Sequence, residues 1–273
     1  MTTGWMRALG VAALDLLLPL ACGACGAPSP DSVCDACLDD LVGGLFADGP
    51  ARVRPHPAPP GLVPVAAAGA YLGTLARLIR AYKDEERRDL RSVLAPLLAR
   101  VVSDAVAPHH FSSASVPDCA SVPDSASVPD SPSVPDCALL VPLPSAPAAM
   151  RARGDNPVGD LVRSASRLAG MPWCPALRVT GRLADQAGLS AAGRAGNVAG
   201  AMRATRALPP GAAVLLCDDV VTTGATLVEG ARAVTEAGGV VLGAAVLAAT
   251  PRRVPRDETE RSRGPPEPGP GKV

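Results

Sequence analysis

The stretch Val214-Leu215-Leu216-Cys217-Asp218-Asp219-Val220-Val221-Thr222-Thr223-Gly224-Ala225-Thr226 decides the fold. Its four leading apolar residues, Val214–Cys217, read as a strand buried on both faces, and such strands belong to parallel sheets covered by helices. Two carboxylates follow at the C-terminal end of the strand. A Thr/Gly loop then runs into a helical pattern over Ala225–Ala237. In open parallel sheets, ligands bind off the carboxyl ends of the strands. A helix N-terminus at that position offers free backbone N–H groups and the positive end of its dipole, which suits a phosphate. Thr222, Thr223 and Thr226 add hydroxyl donors, and Gly224 lets the backbone come close to an anion. An ordinary strand–turn–helix cap needs a single Ser, Thr or Asp, not this whole string.

Asp218 and Asp219 would repel a phosphate, so they need another partner. A vicinal diol fits, because each carboxylate can accept hydrogen bonds from ribose hydroxyls, directly or through a cation. A phosphate cradle beside diol acceptors describes a 5-phosphoribosyl group.

Outward from this point, strands and helices alternate. Val63–Tyr71 reads as a strand, Thr74–Tyr82 as a helix, and Asp89–Val106 as a longer helix with apolar residues at Leu90, Val93, Leu94, Leu97, Leu98 and Val101. Ala138–Val141 is a strand running into Pro142-Leu143-Pro144-Ser145. Val158–Leu168 is a helix, Pro175–Thr180 a short strand, Gly181–Pro210 a long polar, Arg-bearing stretch, and Val240–Ala248 a strand. Alternation of this kind argues for an α/β fold with a parallel, doubly wound sheet flanked by helices. The expected organisation is an N-terminal helix and cysteine knuckle over 1–46, a Pro-rich linker over 47–62, an α/β domain over 63–250, and a disordered tail over 251–273. Residues 107–136 form a low-complexity insert, in which a Ser-Val-Pro-Asp hexad begins at Ser115, Ser121, Ser127 and Ser133. Proline in every copy excludes regular helix or central strand, and Cys119 and Cys137 travel with the repeat.

The 273 residues carry no net charge and only two each of Trp, Tyr and Phe. Neither a basic face nor an aromatic ladder points to nucleic acid, and the balance gives no attraction to a membrane surface. The core must be built from Ala, Val and Leu. Lysine occurs only at Lys83 and Lys272, every other basic residue being Arg, so composition weakens any single Arg as a sign of chemistry. The apolar run Ala8–Leu20 resembles a signal segment. However, Asp15 interrupts it, Pro19 stands where a lipoprotein signal wants Leu, and it is too short to span a bilayer. It reads as an amphipathic helix over Trp5–Leu18 that packs on the domain, and the chain as cytoplasmic; export and anchoring at Cys22 is the alternative.

Cys22-Gly-Ala-Cys25 and Cys34-Asp-Ala-Cys37 are two CxxC pairs eight residues apart. Four thiolates can close a tetrahedral structural zinc site, and so short a segment cannot fold on a core of its own. A redox dithiol is the alternative, but such motifs usually come singly. Cys174 and Cys217 read as small buried residues. His56, His109 and His110 fall in loops, and no P-loop, GxGxxG, HExxH or GxSxG pattern occurs.

The acid–Thr–Gly string resembles the phosphoribosyl pyrophosphate motif of type I phosphoribosyltransferases. The chain is similar to the ComF/GntX family, competence-associated phosphoribosyltransferase-like proteins, over nearly its whole length outside the insert and tail. The likeness rests on the Cys22–Cys37 knuckle, on Tyr82-Lys83-Asp84, on Val141-Pro142-Leu143-Pro144 with Arg151-x-Arg153-Gly154-x-Asn156, and on the Arg178, Arg182, Gln186, Leu189, Arg194, Asn197 series. It implies phosphoribosyl pyrophosphate held with Mg²⁺ by Asp218, Asp219, Val220, Thr222, Thr223, Gly224, Ala225 and Thr226, with Pro144, Ser145, Arg151 and Arg153 near the pyrophosphate. Asp218, Asp219 and Arg182 would serve catalysis, and Gly181–Asn197 would lie in or beside a hood over the site. It also implies an acceptor of unknown identity and partners in DNA uptake or recombination. The segment Arg153-Gly154-Asp155-Asn156-Pro157 departs from the family, which continues Arg-Gly with an aromatic and then Asn-Gln. That departure keeps open a non-catalytic sensor or scaffold that binds the same ligand.

Overall fold

The computed structural model describes residues 21–107, 138–144, 156–180 and 200–251. The N-terminal segment, the repeat insert and the tail lie outside them.

Five strands form the main sheet in the order β1-β2-β7-β6-β3: Ala51–Val53 (β1), Val65–Ala70 (β2), Val240–Ala249 (β7), Ala213–Val221 (β6) and Leu139–Pro142 (β3). All neighbours are parallel except the β1–β2 pair. The α/β, mostly parallel sheet expected from the alternation is therefore present. Side-chain alternation splits the core in two. Leu140, Leu215, Cys217, Ala245 and Leu247 face one side, where α2 (Gly73–Asp84), α3 (Arg91–Val106) and α4 (Pro157–Ala169) pack. Val141, Val214, Leu216, Ala244 and Val246 face the other, covered by α5 (Ala225–Glu236). Small Ala and Gly let helix and sheet approach closely: a Cβ on Gly230 of α5 would stand 2.5 Å from Leu143 Cδ2. Among the described residues, no helix is long and apolar enough to cross a membrane.

Three details differ from the reading of the sequence. Within the stretch read as a linker, Ala51–Val53 pairs antiparallel with Val65–Ala67 as an edge strand; Arg52 between Ala51 and Val53 gives it the alternation of an edge. The strand expected over Pro175–Thr180 does not join the sheet. Leu177–Val179 (β4) instead pairs antiparallel with Met202–Ala204 (β5) in a separate ribbon. And the knuckle is not set apart: Cys22, Val33, Cys37 and Leu41, the last two on α1 (Asp35–Gly44), belong to the same core cluster as Leu75, Leu90 and Leu94. Gly23 lies so near Leu90 that a Cβ there would be 2.7 Å from Leu90 Cδ2.

The ribbon is fastened to α5 by one buried acid. Glu229 accepts from the Met202 N–H at 2.8 Å and from Arg232 Nε and a terminal Arg232 nitrogen at 2.8 and 2.7 Å, while Arg232 also donates to the Met202 carbonyl at 2.7 Å. Burial raises the Glu229 carboxyl, but Arg232 and the Met202 and Gly200 N–H groups outweigh it and hold it below its ordinary value. Glu229→Ala would strand the Met202 N–H and leave Arg232, about a third exposed, without this partner. We expect a loss of about 2–3 kcal/mol, read as a lower urea midpoint with unchanged slope.

Candidate functional site

The site forms where β6 ends. The expected strand Val214–Cys217 continues through the acids to Val221, because its ladder with β7 persists: Asp218 opposes Val246, Val220 opposes Ala248, and Val221 opposes Ala249. Asp218 and Asp219 are thus strand residues, and a strand points consecutive side chains to opposite faces. Asp219 falls on the side of α2, where its Oδ2 meets Lys83 Nζ at 2.6 Å and its Oδ1 accepts the Val220 N–H at 2.8 Å. Asp218 Oδ1 accepts the Asp219 N–H at 2.9 Å, and the two carboxyls share a hydrogen bond. Asp219 is buried and Asp218 partly so. Burial, and next the charge of Asp219, push the Asp218 carboxyl well above the ordinary carboxylate range, against the pull of Lys83. Burial works against the Lys83 ammonium, yet Asp219 and then Asp218 keep it charged, above its ordinary value.

Beyond the acids the chain turns into α5. Gly224, the residue before the helix, has φ +82° and ψ 3°, a left-handed conformation that favours glycine, and a Cβ there would stand 2.7 Å from Leu62 Cδ1. The first turn of α5 holds no acidic residue, so its free N–H groups face no built-in carboxylate. Thr222 is exposed, and Thr223 Oγ1 accepts weakly from the Ala225 N–H at 3.4 Å. Thr250, just past β7, pins the loop: its N–H donates to the Val221 carbonyl at 3.0 Å and its hydroxyl to the Thr222 carbonyl at 3.2 Å. On the other flank, the Leu143 N–H donates to the Cys217 carbonyl at 2.9 Å, which carries Pro144 off the end of β3 beside the acids.

The structure therefore brings Asp218, Asp219, Val220, Thr222, Thr223, Gly224, Ala225, Thr226 and Pro144 to one end of the sheet. Ser145, Arg151, Arg153 and Arg182 lie outside the described residues. Asn156 does a structural job: its Oδ1 caps α4, accepting the Gly159 N–H at 3.1 Å, with Pro157 in the first turn. Arg178 is an exposed residue of β4 opposite Arg203. Lys83 is the site residue that motif reading undervalued. Its signal was its rarity, since Lys83 is one of only two lysines in a chain that otherwise uses arginine. Tyr82 beside it donates its hydroxyl to the Pro157 carbonyl at 3.0 Å and so locks the end of α2 to the start of α4. An apolar hollow of about 310 Å³ near Leu45, Phe46 and Leu97 shares no residue with this site.

The four cysteines converge as a second site. All four Sγ atoms lie within 4.8 Å of one another, and Cys25 Sγ is 3.8 Å from Cys34 Sγ. Zn–S bonds of about 2.3 Å in a tetrahedron require sulfurs about 3.8 Å apart, whereas a disulfide requires roughly 2.05 Å. Burial raises the Cys22 thiol, but N–H groups of Cys34, Cys25 and Ala24 outweigh it and bring it down to about 6. Burial, with the neighbouring thiols, pushes Cys37 up to about 12. The cluster could hold a structural zinc. Cys174 and Cys217 are buried, as read from the sequence.

Among known protein families, the phosphoribosyl transferase domain matches residues 178–267, a span that runs from β4 through β7 and contains the acids, the Thr/Gly loop and α5. No curated protein matches the chain. The match supports a type I phosphoribosyltransferase-like protein and points to phosphoribosyl transfer as its general chemistry.

Proposed function

We propose that this chain binds phosphoribosyl pyrophosphate with Mg²⁺ and transfers its phosphoribosyl group to an acceptor. The observation that carries the reading is the juxtaposition at the end of β6. The acid-free N-terminus of α5, entered through the left-handed Gly224, lies directly beyond two strand-borne carboxylates. The Thr222–Thr226 loop holds the 5-phosphate by backbone N–H and hydroxyl donors. Asp218 and Asp219 orient the ribose. Positive charge develops at the anomeric carbon as the bond to pyrophosphate breaks, and the Asp218–Asp219 pair stabilises it while the acceptor's lone pair forms the new bond. Arg151, Arg153, Ser145 and Arg182 are proposed for the pyrophosphate side. Mg²⁺ fits this donor set, since it is usually held by one or two carboxylates plus substrate phosphates, and Asp218 and Asp219 are adjacent carboxylates at the end of β6. When bound, the ion neutralises the leaving group.

The likeness to ComF/GntX proteins supports a cytoplasmic role linked to competence, with partners among DNA-uptake or recombination proteins. The test is calorimetric titration of phosphoribosyl pyrophosphate with Mg²⁺ into wild type and the Asp218→Asn/Asp219→Asn variant. Saturable binding that the variant loses supports the site and justifies an acceptor screen read by pyrophosphate release. No binding by a folded wild type overturns it.

A further inference from the structure

The two acids of the site are not equivalent. Both oxygens of Asp219 are taken, Oδ1 by the Val220 N–H and Oδ2 by Lys83 Nζ, and its side chain is only 8% exposed. Asp218 accepts the Asp219 N–H, and its carboxyl shares a hydrogen bond with that of Asp219, but it forms no ion pair among the described residues. Lys83 reaches Asp219 from the last turn of α2, a helix end that favours a cation, and about a third of its side chain is exposed. The end of α2 is itself held, through Tyr82 on Pro157.

Two adjacent carboxylates at the end of a buried strand cannot both stay ionised without a counter-charge. Lys83 supplies it from within the chain. A point-charge ammonium on a flexible stem suits one oxygen of a recessed carboxylate better than a planar guanidinium fork does. The other ionisable groups around the pair are few. Asp84 stands next to Lys83 on α2, and the Cys217 thiol precedes Asp218 on β6 and is kept neutral by burial. Asp160 opens α4 on the same face of the sheet, while β3 and β7, which flank β6, carry no titratable side chain.

We infer that Lys83 is a positioning residue. It holds Asp219 as a buried, ion-paired anchor for the end of β6, and this leaves Asp218 as the carboxylate that meets the ribose hydroxyls. The inference rests on the phosphoribosyl reading for its second half only, because the hold on Asp219 can be measured without ligand.

The experiment uses the full chain with Lys83→Met, Lys83→Arg, Asp219→Asn and the Lys83→Met/Asp219→Asn pair. Without ligand, Lys83→Met leaves a buried carboxylate unpaired. At one fixed neutral pH its urea midpoint should fall below that of wild type. Lys83→Arg should keep most of the midpoint. The double variant should regain at least half of what Lys83→Met loses, even if Lys83→Met alone does not fold. A Lys83→Met midpoint equal to that of wild type, or a double variant no better than Lys83→Met, overturns the anchor. In titrations with phosphoribosyl pyrophosphate and Mg²⁺ at the same pH, Lys83→Met should weaken binding about tenfold. Lys83→Arg should restore most of that affinity. Unchanged affinity in Lys83→Met, or no recovery in Lys83→Arg, overturns the positioning role. If wild type binds no phosphoribosyl pyrophosphate, the functional reading and with it the role of Asp218 fail, while the urea arm still decides the Lys83–Asp219 anchor.

Discussion

Cys25→Ser is expected to abolish zinc binding and to lower the melting temperature by about 8–16 °C. Cys25 is exposed, so the substitution itself disturbs little packing, and its effect reports the metal. An ion present at a thousandfold excess over its dissociation constant adds about 4 kcal/mol, and for a domain of this size each kcal/mol moves the midpoint by about 2–4 °C. The loss is large because the knuckle is part of the main core. Cys22, Val33, Cys37 and Leu41 pack with Leu75 and Leu90, so a knuckle that opens uncovers one face of α2 and α3. Zinc must also displace protons from the thiols, above all from Cys37 at about 12, so a chelator should strip the site faster at pH 6 than at pH 8. Zinc content by atomic emission, together with the melting curve, checks both points. A Cys25→Ser protein that keeps one zinc per chain and melts with wild type would show that Cys25 is not needed as a ligand, whereas a wild type that holds no zinc would favour the redox dithiol.

The second large effect separates binding from stability. Asp218→Asn should weaken phosphoribosyl pyrophosphate by about a hundredfold, since a charged acceptor at a ligand hydroxyl contributes about 1.5–3 kcal/mol. The same variant should melt higher than wild type at pH 7–8. Burial and the charge of Asp219 raise the Asp218 carboxyl in the folded chain. A carboxyl raised on folding favours the folded state fully below its unfolded value of about 3.9, and that contribution is lost as pH rises through the folded value. At neutral pH an ionised Asp218 therefore subtracts from stability, and the neutral amide removes that cost. The advantage of the amide should shrink as pH falls toward 4, where Asp218 carries its proton as well. Melting curves from pH 4 to 8 beside calorimetric titration test the pair of effects. A variant destabilised at pH 8 would show that Asp218 is held by structure and is not kept for a ligand.

How much of this was legible beforehand depends on the reach of each interaction. Val214–Cys217, the acids, the Thr/Gly string and the helix after it are consecutive in the chain, so their order alone implied a strand, a turn with a left-handed residue, and a helix N-terminus. The two CxxC pairs were legible for the same reason, because ligand spacing is local. Strand alternation was enough for an α/β, mostly parallel sheet. The ladder between β6 and β7, by contrast, joins residues far apart, and only it extends β6 through Asp218 and Asp219. Ala51–Val53 needed its partner β2 to become a strand, and Leu177–Val179 its partner β5 to leave the sheet for a ribbon.

By itself, then, the sequence determined the class of fold, the phosphate-suited turn and the four-cysteine cluster, since each is written in contiguous residues and short spacings. Tertiary structure alone decided that the knuckle shares the main core, that Glu229 ties α5 to the ribbon, and that Lys83 reaches Asp219 across more than a hundred residues of chain. Charge pairing in a folded protein depends on distance in space, and the sequence records only distance along the chain.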